Sequence, residues 1–167
     1  MEKFSSMSEE HLRVMSETAA DMARRLRTVT DIAARRGMMS LLLTLCRNME
    51  DVAPRNASVA AQDRANQLGM GDLRRFHFDD GGRFPGGRKA SRLHWEHWRP
   101  AADLRRDILA LEAPTPEAVA QVLKGSRVCW ILLEENDRLN SLGFKTNRSD
   151  PAVCYGAAGI DLAHEWE

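Results

Sequence analysis

The segment from Ser8 to Arg36 contains neither glycine nor proline, and this feature most limits how the chain can fold. Its apolar residues recur at spacings of three and four, which places them along one face of a helix. They are Leu12, Met15, Ala19, Met22, Leu26, Val29 and Ala33. The pattern predicts one long helix that begins after the N-cap Ser8 and ends at Gly37.

Two further helices are expected in the following segment. Met38–Asp51 carries four leucines and leaves little polar surface, so we expect it at the centre of the core. Pro54–Leu68 is rich in alanine, which allows neighbouring helices to pack closely. Residues 8–68 are therefore predicted to form a helical half of about three helices.

The composition changes after residue 68, where glycine becomes frequent. Residues 69–90 hold six glycines together with Pro85, and this density predicts a loop. A short strand is expected within the loop at Phe76–Phe78. The loop separates the helical half from residues 91–167, whose patterns are mixed. Because each half alone is small, we expect residues 1–167 to fold as a single domain.

The C-terminal half alternates between strand-like and helix-like segments. Strands are predicted at Leu93–Trp98 and Arg127–Leu133. Helices are predicted at Ala101–Leu111, from Pro116 to Gly125 with Thr115 as N-cap, and at Glu134–Leu142, followed by a short element near Ile160–Trp166. The predicted fold class is α+β and mainly helical, with an N-terminal bundle of about three helices packed on a small C-terminal two-stranded sheet with helices.

Charge and cysteine content exclude several classes of protein. The formal net charge is +0, so the chain has no overall positive field that would attract nucleic acid, and only a local basic patch could do so. Cys46, Cys129 and Cys154 are odd in number and far apart, which indicates neither a disulfide framework nor a zinc site.

Met1–Glu10 is unlike a signal peptide, and the longest apolar run, Met38–Cys46, is too short to span a bilayer. We expect a cytoplasmic protein without a membrane partner.

The densest cluster of reactive side chains lies in Leu93–Pro100, where His94, Glu96 and His97 fall within four residues. On a strand, His94 and Glu96 face one side while Trp95 and His97 face the other. The two histidines are therefore not expected to share a metal-ligand face. The H-E-x-x-H pattern of zinc metalloproteases is absent. Glu96 and His97 remain as the candidate reactive pair. The alternatives are a structural histidine packed beside tryptophans and a solvated or arginine-paired carboxylate.

Two separated pieces of sequence resemble the ββα-metal core of HNH nucleases. The first is Glu96-His97 with Pro100 three residues later, and the second is the apolar segment Val128–Leu133 running into a helix that carries Asn136. The closest pattern is that of the HNH domains of RNA-guided CRISPR effector nucleases, whose last position is also asparagine. The resemblance covers about the last third to two-fifths of the chain, and residues 98–127 separate its two pieces.

The resemblance implies a role for each matched residue. His97 would be the catalytic general base toward water, and Glu96 and Asn136 would hold one divalent metal ion. Phosphodiester cleavage needs an activated water and a cation at the scissile phosphate, and an imidazole suits the first task. Carboxylate and amide oxygens favour a hard cation, so the implied cofactor is Mg²⁺ or Mn²⁺.

Positive charge is concentrated around the first of these pieces. Arg88, Lys89, Arg92 and Arg99 are the candidate nucleic-acid-binding residues, because guanidinium and ammonium groups contact phosphates. The alternative is that they form a solvated surface without a ligand. Trp95 and Trp98 are interpreted either as stacking platforms for bases or as packing residues.

Two functions follow from these patterns. The first is a metal-dependent nuclease-like protein that acts on nucleic acid through an HNH-like core. The second is a non-catalytic interaction module, such as a small phage or defence-associated regulator, whose helical half docks to a protein partner and whose basic, tryptophan-rich half is the binding surface. A homo-oligomer is also possible. Glu96, His97 and Asn136 within metal-binding reach in a shared cleft would favour the enzyme. Separation of these residues, or their packing against the core, would favour the module.

Overall fold

The computed structural model describes residues 8–166, so the first part of the N-terminal segment considered above lies outside the described residues. Helices dominate, at 60% of the structure, beside one small mixed sheet. The predicted α+β, mainly helical class is confirmed. Within residues 8–166, no helix combines the length and apolar character that a membrane crossing requires.

The N-terminal segment forms two helices instead of the single long helix predicted. Helix α1 spans Glu9–Leu26 and α2 spans Ile32–Asn48. Asp31 caps α2 by accepting a hydrogen bond from the Ala34 amide at 2.7 Å. Gly37 therefore lies inside α2, where nothing crowds it, and the prediction that it ends a helix is wrong. An internal glycine costs only about 1 kcal/mol, which tertiary packing offsets.

Both N-terminal helices pack against helices from the C-terminal half. Helix α5 (Ala101–Ala110) contacts α2, and α6 (Pro116–Leu123) lies along α1. Alanines of α1 allow this close approach, and leucines from all four helices fill the space between them. Ala19, Ala20, Ala23, Leu26, Leu42, Leu45, Leu104, Ile108 and Leu123 are among the buried residues of this helical core.

The sheet has three strands, where the sequence predicted two. Strand β1 (Arg55–Ala57) lies in the segment predicted as the third helix, and helix α3 (Val59–Gln67) begins only after it. β1 pairs in parallel with the central strand β3 (Val128–Leu132), which pairs antiparallel with β2 (Leu93–His97). Pairing with a fully buried central strand is a tertiary interaction, and it overrides the local preference of a short segment.

The two faces of β3 enter different parts of the core, because successive side chains of a strand point to opposite sides. Trp130 meets Trp95 and Phe84 on one face, with ring centroids 4.9 and 5.3 Å away. Cys129 and Ile131 lie on the other face in a separate cluster. Burial on both sides explains why β3 is an uninterrupted apolar run.

The glycine-rich region and the C-terminus differ in detail from expectation. Phe76–Phe78 forms no strand; short 3-10 turns at Leu73–Arg75 and Phe78–Arg83 are followed by helix α4 (Gly87–Ser91). The helix predicted near Glu134 is α7 (Leu133–Ser141). Helix α8 (Pro151–Ala157) was not predicted, and residues 160–166 contribute only an isolated bridge between Leu162 and Ser58.

The N-cap of α6 is as predicted and offers a test of local stability. The Thr115 hydroxyl accepts a hydrogen bond from the Ala118 amide at 3.2 Å, and Pro116 occupies the first turn. Thr115→Ala should lower the free energy of unfolding, measured by urea denaturation, by about 1 kcal/mol. Thr44→Ala, at an exposed position inside α2, is the matched control and should change it by less than about 0.5 kcal/mol. Equal effects of the two variants would contradict the capping role.

Candidate functional site

A polar cleft of about 490 Å³ opens where β2 ends, between the start of α5, helix α7 and the end of α2. Its lining consists of Leu43, Arg47, His94, Glu96, His97, Pro100, Ala101, Ala102, Asn136, Asn140, Lys145 and Thr146. The three residues implied by the resemblance, Glu96, His97 and Asn136, all line this cleft. The antiparallel pair β2 and β3, followed directly by α7, brings them together across residues 98–127.

The alternation of β2 orients the reactive residues as expected. His94 and Glu96 lie on one face, and the His94 Nε2 atom is 3.1 Å from Glu96 Oε2. Trp95 points to the opposite face against Trp130 and is only 6% exposed. His97 ends the strand and lines the cleft. Its Nε2 atom faces the carboxylate of Glu50, which also contacts Trp95.

Glu96 is held by an arginine that the sequence analysis did not single out. The Arg148 side chain is 0% exposed, and its Nη2 atom donates to Glu96 Oε1. Burial is the largest influence and by itself raises the pKa of the Glu96 carboxyl. The hydrogen bond from His94 and the charge and hydrogen bond of Arg148 together outweigh burial, so the net pKa is lowered. Glu96 is therefore a carboxylate whose charge is largely neutralised by its neighbours.

Arg148 also fixes the backbone around the cleft. Its Nη1 atom donates to the His97 carbonyl at 2.6 Å, and its Nε atom donates to the Phe144 carbonyl at 2.7 Å. Its amide donates to the buried Asp103 carboxylate of α5 at 2.7 Å. One buried residue, through its side chain and its amide, thus joins the end of β2, the loop after α7 and the first turn of α5. No sequence pattern marks Arg148, because it lies in an irregular loop.

Besides Glu96, a second carboxylate lies near the cleft, beside His97. It belongs to Glu50, in the turn Met49–Asp51 that follows α2. Its Oε2 atom accepts a hydrogen bond from Trp95 Nε1 at 2.8 Å and lies 3.2 Å from His97 Nε2. The second distance is within ion-pair reach, but the two groups are not aligned as a hydrogen bond. Glu50 is far from His97 in sequence, so spacing gave no signal for this pair.

Helix α7 contributes one face to the cleft and another to the core. Asn136 and Asn140, one turn apart, line the cleft. Glu135 points inward, where its Oε2 atom accepts hydrogen bonds from the Ser58 hydroxyl at 2.6 Å and from the Leu132 amide at 2.8 Å. These bonds fix the start of α7 against the sheet, which sets the position of Asn136.

The hydrogen bonds of Glu96 limit its ability to bind the divalent metal ion that the resemblance implies. Both carboxylate oxygens are already engaged, one by Arg148 and the other by His94. Within residues 8–166, no group of three or more histidine, cysteine, aspartate or glutamate residues is placed to hold a metal ion. In this arrangement the residues do not fit a resident divalent cation, because a guanidinium group already neutralises the carboxylate that would bind it.

The four arginine and lysine residues predicted to contact nucleic acid do not form one surface. Arg88, Lys89 and Arg92 lie on or just after α4, whereas Arg99 lies beyond the far end of β2. Three of them have intramolecular partners: Arg88 stacks on the Phe78 ring at 3.9 Å, Arg92 pairs with Glu134, and Arg99 pairs with Asp107. Lys89 forms no ion pair within the described part of the chain.

Two other cations line the polar cleft itself. Arg47, near the end of α2, and Lys145, in the loop after α7, are both exposed, and neither forms an ion pair among residues 8–166. Sequence reasoning missed them because α2 and the loop after α7 are distant from β2 along the chain. Together with the neutralised Glu96, they give the mouth of the cleft a positive balance.

The tryptophans near the cleft serve packing. Trp98 lies against Tyr155 and Trp166, with ring centroids 4.3 and 5.3 Å away. Trp95 contacts Trp130 and the ring of His77, the latter at 5.4 Å. Of the two interpretations of Trp95 and Trp98, the packing role is the one the structure displays.

Comparison of the chain with models of known protein families, with curated proteins and with solved structures finds no match. What the polar cleft can do is therefore inferred from its own residues.

Proposed function

We propose that this is a nuclease-like protein that binds a nucleic-acid phosphate in the polar cleft, with His97 as the group that accepts a proton from the attacking oxygen. The observation that carries the proposal is that Glu96, His97 and Asn136 line one cleft together with Arg47 and Lys145, which form no ion pair among residues 8–166. Strand β2, its antiparallel partner β3 and helix α7 carry these residues to the cleft, and α5 and α6 lie between the two strands in the chain.

The donors around the cleft suit a phosphate group. Arg47 and Lys145 supply positive charge, and the amides of Asn136 and Asn140 supply neutral donors. Ala101 and Ala102 open α5 at the cleft wall, and no side chain caps that helix. The first amides of a helix and its dipole attract anions, and at α5 the buried carboxylate of Asp103, in the first turn, already meets part of that preference.

His97 supplies the proton transfer in this proposal. A neutral imidazole takes a proton from the attacking hydroxyl or water as its oxygen bonds to phosphorus, and the oxygen of the broken ester bond leaves with the electron pair. Arg47 and Lys145 lie where they can stabilise the negative charge that develops on the phosphate oxygens. Glu96, neutralised by Arg148, holds His94 in place and adds little repulsion toward the anion.

The metal ion implied by the resemblance, Mg²⁺ or Mn²⁺ at Glu96 and Asn136, stays a prediction. A cation bound at Glu96 has to displace Arg148 or His94 from a carboxylate oxygen. The proposed phosphate binding does not require this exchange. The cleavage assay described below therefore compares reactions with and without a divalent metal ion.

Binding is tested with labelled single-stranded and duplex DNA and RNA across a series of salt concentrations. Replacing Arg47 and Lys145 together by alanine should weaken binding and reduce the slope of log affinity against log salt by about two units, since each phosphate contact contributes about one. Lys124→Ala, at the exposed C-cap of α6 and outside the cleft, is the control and should leave the slope unchanged. An unchanged slope in the double variant would remove the cleft as the phosphate site.

Cleavage is tested on the same nucleic acids with Mg²⁺, with Mn²⁺ and with a chelator. Cleavage under any of these conditions supports the nuclease-like function, and the comparison among them shows whether a cation takes part. Salt-dependent binding without cleavage would instead support the non-catalytic module. Failure of both binding and cleavage would overturn the proposed function.

The module remains the alternative function because the chain also exposes apolar side chains. Ile32 is 68% exposed and Leu41 is 62% exposed, both on α2. They lie about half a helical turn apart around the axis, so they face different directions. Ile32 and Leu41 therefore do not lie on a single docking surface for a protein partner.

A further inference from the structure

The Glu50 carboxylate occupies a fixed position beside His97. Its Oε2 atom accepts the indole hydrogen bond of Trp95 at 2.8 Å, and Trp95 is itself held between Trp130 and His77. The same oxygen lies 3.2 Å from His97 Nε2. The side chains of Glu50 and His97 are 22% and 23% exposed, so water only partly screens their interaction.

His97 Nε2 has no other polar partner among residues 8–166. A neutral imidazole carries a proton on one of its two nitrogens, and the hydrogen-bonding environment selects which one. A carboxylate beside Nε2 favours the proton on Nε2. The lone pair is then on Nδ1, which is left to accept a proton from a group in the polar cleft.

We infer that Glu50 is a positioning residue that holds His97 in the tautomer with the proton on Nε2, so that Nδ1 is the base of the cleft. The arrangement has the logic of a base oriented by a third group, in which a partly buried carboxylate fixes the orientation of the ring. The local sequence of β2 does not indicate that Glu50 lies beside His97. The catalytic consequence rests on the proposed function, whereas the tautomer does not.

The tautomer is read directly from the ¹⁵N and ¹H correlations of the His97 ring at a pH where the ring is neutral. The unaltered protein should show the proton on Nε2, and a predominant Nδ1–H form would overturn the inference without any variant. Glu50→Gln retains an oxygen that accepts the Trp95 hydrogen bond but removes the negative charge. It should shift the His97 ring toward the Nδ1–H form.

Asp51→Asn is the matched control, because Asp51 lies in the same turn and its Oδ1 atom is 3.0 Å from a different histidine, His77. This variant should leave the His97 tautomer unchanged. If the protein cleaves nucleic acid, Glu50→Gln should lower kcat about tenfold or more with little change in KM, since Glu50 acts on the base and not on the substrate. Asp51→Asn should preserve both constants.

The two possible failures are distinguishable. Absence of binding and cleavage would overturn the proposed function while the ring spectra still decide the position of the proton. An unchanged His97 spectrum in Glu50→Gln would overturn the positioning role even in a protein that cleaves nucleic acid.

Discussion

Replacing Arg148 by methionine should lower the free energy of unfolding by about 3–5 kcal/mol, because removing one partner of a buried ion pair leaves the other charge uncompensated. The Arg148 side chain is 0% exposed, and Glu96 would lose its charged partner at Oε1. The carbonyls of Phe144 and His97 would also lose donors in a region that water enters poorly. Methionine keeps much of the aliphatic volume, so the loss reports mainly on charge and hydrogen bonding.

Urea denaturation followed by circular dichroism measures this change. Arg13→Met is the control, because Arg13 pairs with Glu17 on the surface of α1 and its side chain is 60% exposed. Exposed pairs contribute about 0–1 kcal/mol, so this variant should remain close to the unaltered protein. A loss of less than about 1 kcal/mol for Arg148→Met would show that the buried contacts of Arg148 are not what stabilises the end of β2.

Replacing His97 by alanine should lower the rate of nucleic-acid cleavage about 100-fold or more, since a positioned general base contributes about 10²–10⁴ to a rate. The affinity for nucleic acid should change little, because Arg47 and Lys145 supply the phosphate contacts in the proposed function. Single-turnover cleavage and equilibrium binding, measured on the same preparation, separate the two effects.

His11→Ala is the control for this variant, because His11 lies in the first turn of α1 and does not line the polar cleft. It should retain full cleavage and binding. Cleavage by His97→Ala at the unaltered rate would assign the reaction to another residue or to a contaminating nuclease. A parallel loss of binding and cleavage would place His97 in the phosphate site instead of in the proton transfer.

Strands β2 and β3 and helices α5, α6 and α7 could be predicted because their signals are local, whereas α8 was not predicted. Thr115 and Pro116 define the start of α6 through capping and a fixed backbone angle, and both are found in those positions. Leu93–His97 has a strand pattern and forms β2. Such features depend on a few neighbouring residues, so the sequence expresses them directly.

The N-terminal half was predicted less accurately because its apolar pattern continues through a break. The stripe that begins in α1 runs on to Ala33, yet the chain turns before Asp31 so that α1 and α2 can pack on α6 and α5. The three residues of β1 have no strand signal of their own. They become a strand only because β3 offers unpaired backbone groups beside them.

The sequence by itself determined the helical character, the segment that carries Glu96 and His97, and the opposite faces taken by neighbouring residues of β2. Only the tertiary structure decided which groups surround them: Arg148 on Glu96, Glu50 beside His97, and Arg47 and Lys145 at the mouth of the cleft. The physical reason is that local periodicity and capping act over a few residues. Charge pairing acts through space, between side chains that only the folded chain brings together.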